Sequence, residues 1–154
     1  MITRQNFQSE ERTAAVDASA THNVLRVLLA EDDRSLRRYL EVVLQREGYD
    51  VIVAVDGLEA MRVTLTARVD IVVTDAIMPN LNGYELVRFL RNTPHLSHLP
   101  IVLLSAMEIK DQSGDHKADV YLSKPISPEA LIDCLEKLLR KDGNRDAVTV
   151  KSKQ

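Results

Sequence analysis

The sequence predicts an α/β fold, a five-stranded parallel sheet with right-handed helical crossovers, and three features carry that prediction. Five short apolar runs are continuous rather than alternating, which is how strands buried on both faces read. Between several of them, apolar residues recur at helical spacing. Polar residues able to do chemistry stand just past the carboxyl ends of the runs, where parallel sheets bind their ligands.

The first run is RVLLA, residues 26–30, and it stops abruptly at Glu31, Asp32 and Asp33. A helix follows, because Leu36, Tyr39, Leu40, Val43 and Leu44 fall at i, i+3, i+4, i+7 and i+8, and Gly48 closes the stripe. The second run, DVIVAV (50–55), leads to a helical stretch at 57–67. The third, DIVVT (70–74), ends beside Asp75 and precedes a helix at 83–92. The fourth is PIVLLS (100–105). After it, MEIKDQSGDHK (107–117) has few apolar anchors and carries Gly114 in its middle, so nucleation is costly and a shortened or irregular helix is expected. The fifth and weakest run, DVYLS (119–123), leads into Lys124 and Pro125. Ser127 and Pro128 supply an N-cap and a favoured first residue for the last helix, whose stripe is Leu131, Cys134, Leu135, Leu138 and Leu139.

With 154 residues, 45% of them apolar, the chain can bury one core. Residues 1–23 and 142–154 show no sustained period and read as flexible tails, leaving a single domain at 24–141. A net charge of -3, from 20 basic and 23 acidic residues, lacks the basic excess that binds nucleic acid through its phosphates. Cys134, the one cysteine, can form no internal disulfide, and the N-terminus has no apolar stretch of signal-peptide type. No apolar run approaches the ~18 residues of a membrane span. These features point to a soluble, cytoplasmic protein.

At the strand ends stand Glu31, Asp32 and Asp33, then Thr74 and Asp75, then Ser105, then Lys124. Asp32, Asp33 and Asp75 brought together would repel one another, and a hard divalent cation such as Mg²⁺ relieves that repulsion. Singly, each residue has a commonplace role: an acid after a strand is more often a helix N-cap, Asp75 suits an Asx turn ahead of Pro79, and Ser105 and Lys124 suit a strand end and a solvated turn. The specificity lies in the set.

LLAEDD, VVTDAIMPNLNGYEL, IVLLSA and YLSKP, in that order, resemble the receiver domain of two-component response regulators, including the stand-alone chemotaxis type, over about residues 25–141. The resemblance implies a flavodoxin-like three-layer sandwich with strand order 2-1-3-4-5. It implies that Asp75 is the phosphoacceptor, taking its phosphoryl group from a sensor histidine kinase or a histidine phosphotransfer protein. It makes Asp33 the direct Mg²⁺ ligand, Asp32 an acid acting mainly through water, and the Ile77 backbone carbonyl the remaining protein ligand beside Asp75. Ser105 matches the switch hydroxyl, Lys124 the lysine that pairs with the phosphoryl group, and Tyr121 the aromatic switch.

Phosphoryl transfer spreads charge over the equatorial oxygens, so a cation, an ammonium and a hydroxyl around a carboxylate suit the chemistry. Ile77 and Met107, two residues after Asp75 and Ser105, are apolar where family members often carry polar groups that orient the hydrolytic water, so a long-lived phosphorylated state is expected. The tails hold no output module, so the expectation is a single-domain regulator that signals by protein contact, monomeric or weakly dimeric, and assists only its own phosphorylation and dephosphorylation rather than acting as an enzyme on other substrates. Alternatives are a phosphorylation-independent scaffold or a receiver excised from a larger regulator. A flavodoxin-like nucleotide binder conflicts with three acids after the first strand and the missing phosphate loop. A haloacid-dehalogenase-type hydrolase conflicts with Ile77, where its second acid would stand.

Overall fold

The computed structural model describes residues 23–106 and 117–143. In chain order the elements are β1 (Arg26–Ala30), α1 (Arg34–Arg46), β2 (Asp50–Ala54), α2 (Gly57–Thr66), β3 (Ile71–Asp75), α3 (Gly83–Asn92), β4 (Ile101–Ser105), β5 (Val120–Ser123) and α4 (Pro128–Gly143). The strands form one sheet in the order β2-β1-β3-β4-β5, and every pairing is parallel. The expected α/β class and strand order are therefore observed. The crossover at 107–116, which includes Met107 and the irregular helix expected there, lies outside the described residues, as do 1–22 and 144–154.

Alternation along each strand divides the core in two. Leu28, Ala30, Val72, Ile101 and Leu103 pack with Ala60 of α2 and with Leu86, Val87 and Leu90 of α3. Their strand neighbours Val27, Leu29, Ile71, Val73, Val102 and Leu104 pack on the other face with Leu40 and Leu44 of α1 and Leu131 and Leu135 of α4. This accounts for the continuous apolar runs: each side of β1, β3 and β4 meets a helix layer, so there is no solvent face to code for. Cys134 is buried in the α1–α4 side of the core.

The helices begin on side-chain caps. Asp33, Asp56 and Asn82 accept from the backbone N–H of Leu36, Glu59 and Glu85 to start α1, α2 and α3. Ser127 Oγ accepts from the Ala130 N–H, the cap expected for α4. Gly48, at φ +93°, ends α1 with its N–H on the Gln45 carbonyl. Two further glycines permit close approach rather than unusual torsions: a Cβ on Gly83 would collide with the Asp75 carbonyl, and one on Gly57 with the Leu81 carbonyl. Among the described residues no helix is long and apolar enough to cross a membrane.

A single guanidinium ties the far end of α3 to the start of β5. Arg91 donates to the carbonyls of Lys117 (2.9 Å), Ser97 (2.9 Å) and Leu99 (2.7 Å), and to Asp119 Oδ2 (2.8 Å). Asp119 Oδ2 also accepts from the Ile101 N–H at 2.7 Å. Lysine, a point charge, cannot reproduce a planar fork serving four acceptors. We expect Arg91→Lys to destabilise the fold by about 1–3 kcal/mol, the scale of several lost hydrogen bonds to a charged group. Urea unfolding checks this, and a midpoint equal to that of the parent protein would contradict it.

Candidate functional site

Four of the five strands, β1, β3, β4 and β5, deliver functional groups to the carboxyl edge of the sheet. β3 ends in Asp75, 6% exposed. Its register partner on β4 is Leu104, so Ser105, 3% exposed, stands one residue beyond it on the neighbouring strand. Ser105 pairs in register with Ser123 of β5, and the Lys124 N–H donates to the Ser105 carbonyl at 2.8 Å. That bond fixes the root of the Lys124 side chain. To reach Asp75 from β5 the side chain must pass the end of β4, and adjacent strands lie about 4.8 Å apart. Only a long side chain makes that crossing, and Ser105 is small enough to leave the path open.

Lys124 Nζ lies 3.1 Å from Asp75 Oδ2 and 3.3 Å from Glu31 Oε2. Glu31 has no exposed surface. Its Oε1 accepts from the Asp33 N–H at 3.2 Å, and its backbone carbonyl accepts from Arg37 Nη1 at 2.8 Å. Carboxylate oxygens of Glu31, Asp32 and Asp75 all lie within 4.8 Å of one another. Burial, followed by the charge on Asp75, pushes the Glu31 carboxyl up to about 7, although the Asp33 N–H and Lys124 both favour its ionised form. For Lys124, burial works against the charge, but the hydrogen bond to Asp75 and the charges on Glu31 and Asp75 outweigh it, and its pKa is raised.

The donor set suits a hard divalent cation. It offers oxygen atoms only, on converging carboxylates whose charge one ammonium does not cancel, and Asp32 is exposed and so open to a hydrated ion. Glu31, Asp32 and Asp75 are the residues that would hold Mg²⁺.

The composition of this cluster corrects one expectation. Asp33, expected as the direct Mg²⁺ ligand, is exposed, and its Oδ1 accepts from the Leu36 N–H at 2.8 Å to cap α1. Glu31 stands in the carboxylate cluster instead. The physical reason is local: the residue immediately before Arg34 must satisfy free N–H groups at the start of the helix, and an aspartate does so well. The sequence signal is the N-cap preference of aspartate just ahead of Arg34, which places Asp33 on the helix and leaves Glu31 and Asp32 for the site.

The other expected residues fall as follows. Asp32, Asp75 and Lys124 come together with Glu31, and Ser105 ends the adjacent strand. Ile77, two residues past Asp75, is 65% exposed in the loop before α3. Tyr121 is half-buried against the α2–α3 side of the core, and its hydroxyl accepts from the Ala118 N–H at 3.2 Å.

Comparison with known proteins agrees with this geometry. The model of the response regulator receiver domain family matches residues 27–136. The chain is similar to the response regulator MprA of Mycobacterium bovis, at 39% identity over 126 residues, 80% of this chain and 54% of that protein. It is also similar to the probable transcriptional regulator ycf29 of Porphyra purpurea, at 33% identity over 75% of this chain and 57% of that protein. The chain thus spans little more than half the length of these curated relatives. Among solved structures it resembles the chemotaxis response regulator CheY4 of Vibrio cholerae, with a TM-score of 0.70 and 33% identity over 75% of this chain and 98% of that one. It also resembles the response regulator TrrA of Thermotoga maritima in complex with Mg(2+)-BeF, with a TM-score of 0.68 and 28% identity over 75% of this chain and 99% of that one.

The elevated Glu31 carboxyl makes metal-free stability depend on pH. Its folded value near 7 exceeds the usual 4.5, so between those limits the folded chain holds a proton that the unfolded chain has released. This contribution is complete below about pH 4.5 and is lost as pH rises through 7. In EDTA we expect it to fall by roughly 2–3 kcal/mol between pH 5 and 8, at about 1.4 kcal/mol per pKa unit. Glu31→Gln should remove most of that slope in denaturant titrations; an identical slope in both proteins would contradict the assignment.

Proposed function

Since this chain belongs to the response regulator receiver domain family, we propose that Asp75 accepts a phosphoryl group from the phosphohistidine of a sensor histidine kinase or a histidine phosphotransfer protein. The observation that carries this reading is the Lys124 ammonium, held between Asp75 and Glu31 at 3.1 and 3.3 Å at the edge of an acidic cluster. A phosphorylation-independent scaffold has no need to hold a half-buried lysine between two buried carboxylates.

In the proposed reaction an Asp75 carboxylate oxygen attacks phosphorus in line with the P–N bond of the donor. A P–O bond forms, the P–N bond breaks, and the departing imidazole takes up a proton from water. Mg²⁺, when bound, supplies positive charge that offsets the charge spread over the phosphoryl oxygens. Glu31, Asp32 and Asp75 would hold it together with the Ile77 backbone carbonyl, Glu31 and Asp32 taking the places first expected of Asp32 and Asp33. Lys124, already 3.1 Å from the nucleophile's carboxylate, would pair with a phosphoryl oxygen of the product, and the Ser105 hydroxyl would donate to another. Drawing Ser105 toward the phosphoryl group, with Tyr121 following, shifts the population between two arrangements of this edge without changing the fold. Output would pass by contact with a protein target in the cytoplasm. The chain would act on no substrate beyond its own phosphoryl group.

Intact mass after exposure to a small phosphodonor and Mg²⁺ should show the gain of one phosphoryl group in the parent protein and none in Asp75→Asn. A gain in both would place the modification elsewhere and overturn the reading. The exposed, apolar Ile77 side chain cannot hydrogen-bond an attacking water. Phosphate should therefore leave Ile77→Asn several-fold faster than the parent, and equal decay rates would refute a long-lived phosphorylated state.

A further inference from the structure

Of the oxygen donors proposed for the cation, three are side-chain carboxylates and one, that of Ile77, is a main-chain carbonyl. A carbonyl has no side-chain torsions with which to adjust, so its position is set by the path of the β3–α3 loop. Loops hold donor atoms less precisely than regular elements do, so something must fix this one.

The loop is secured at its base and at its tip. At the base the Gly83 N–H donates to the Ala76 carbonyl at 2.8 Å. At the tip Asn80 adopts φ +67°, and its Nδ2 donates to Asp56 Oδ2 at 2.7 Å. Asp56 is itself rigidly set. Its Oδ1 accepts from the Glu59 N–H at 2.8 Å, and Glu59 Oε2 accepts in return from the Val55 N–H at 2.9 Å, a reciprocal box that starts α2. The Glu59 N–H and then the Asn80 amide hold the Asp56 carboxyl below its usual range. The second Asp56 oxygen is thus an oriented acceptor facing the loop. Next to it, Gly57 lets the Leu81 carbonyl approach closer than any side chain would allow. Met78 also packs into the core from this loop, but a thioether contact is apolar and adaptable, whereas the Asn80–Asp56 bond has a direction.

We propose that Asn80 and Asp56 form a positioning pair that clasps the β3–α3 loop to the start of α2 and sets the Ile77 carbonyl for the cation. The pair touches neither cation nor phosphoryl group; it acts through the three residues Ile77, Met78 and Pro79 that separate Ala76 from Asn80. This inference rests on the receiver reading above.

The test is Mg²⁺ affinity of the unphosphorylated full chain, measured by titration calorimetry because the chain has no tryptophan to report binding. Asn80→Gly keeps the positive φ accessible and removes the amide. Asp56→Ser keeps an N-cap for α2 and removes the oxygen that takes Asn80. Each should weaken Mg²⁺ binding about tenfold, the low end for groups that orient metal ligands, while metal-free unfolding midpoints stay close to that of the parent. The exchange D56N/N80D keeps net charge, a competent cap and a residue that tolerates the left-handed region, and restores the bond with its polarity reversed. It should bring affinity back to within about twofold of the parent, a recovery that loosened packing alone would not produce. Parental affinity in either single variant, or no recovery in the exchange, overturns the pair. Failure of the receiver reading has a different signature: a parent protein that takes up no Mg²⁺, or one whose binding survives Asp32→Ala, overturns that reading and the pair with it.

Discussion

The carboxyl edge of this sheet is organised around one unfavourable encounter, the gathering of the Glu31, Asp32 and Asp75 carboxylates within 4.8 Å. Left alone, like charges at that separation, two of them buried, would repel strongly enough to protonate one of them or push the strand ends apart. Lys124 makes the arrangement tolerable by standing between the two buried members. Its compensation is incomplete, since one ammonium faces three acids and the Glu31 carboxyl remains displaced upward to about 7. The residual negative charge suits the site to a divalent cation. In the proposed reaction the same unresolved repulsion would link metal binding to the meeting of Asp75 with an incoming phosphoryl group, whose own charge the cation and lysine would offset.

The fold was legible because its sheet is covered on both faces. Runs such as RVLLA and IVLLS carry no polar alternation, which only a doubly covered strand allows, and the stripes of α1 and α4 have the period that covers one such face. Asp32, Asp75 and Ser105 were legible for a related reason, since a polar residue at or just past the end of a buried strand has only the carboxyl edge to occupy; Lys124 follows the half-buried β5 and was legible from the resemblance. Asp33 was misassigned because in a run of three acids the choice between helix cap and site depends on where the first helical turn begins. A one-residue difference in that boundary reassigns each acid, and apolar periodicity sets helix ends only loosely. The order of strands was not legible from periodicity at all. β1, β3 and β4 are equally apolar, and nothing in their composition says which is central; the order came from family resemblance.

Connections that residue types alone do not announce carry much of the arrangement around the edge. Arg91 reads as an ordinary charge in the last turn of α3, yet it holds the backbone at Lys117, Ser97 and Leu99 and grips Asp119. That grip fixes the approach to β5, and with it the Ala118 N–H that meets the Tyr121 hydroxyl. Asn80 likewise reads as a turn residue, and Asp56 as a cap. Their approach to 2.7 Å joins the start of α2 to the loop that follows Asp75.

The proposed switch would have to change contacts on phosphorylation without unfolding, and the distribution of burial suits that requirement. The residues beneath the edge, from Leu28 and Val72 to Leu103 and Leu104, are fully enclosed and cannot shift without opening cavities that would cost several kcal/mol. Above them the groups are polar, short or half-buried: Ser105 at a strand end, Tyr121 held by one backbone hydrogen bond, Lys124 shared between two acids. Exchanging one carboxylate partner of Lys124 for a phosphoryl oxygen would keep the ammonium paired with an anion and leave the packed layers untouched. The proposed rearrangement would therefore be confined to the rim, where it costs no more than a hydrogen bond or two, and a single phosphoryl group could supply that much through the new charge-assisted bonds it makes.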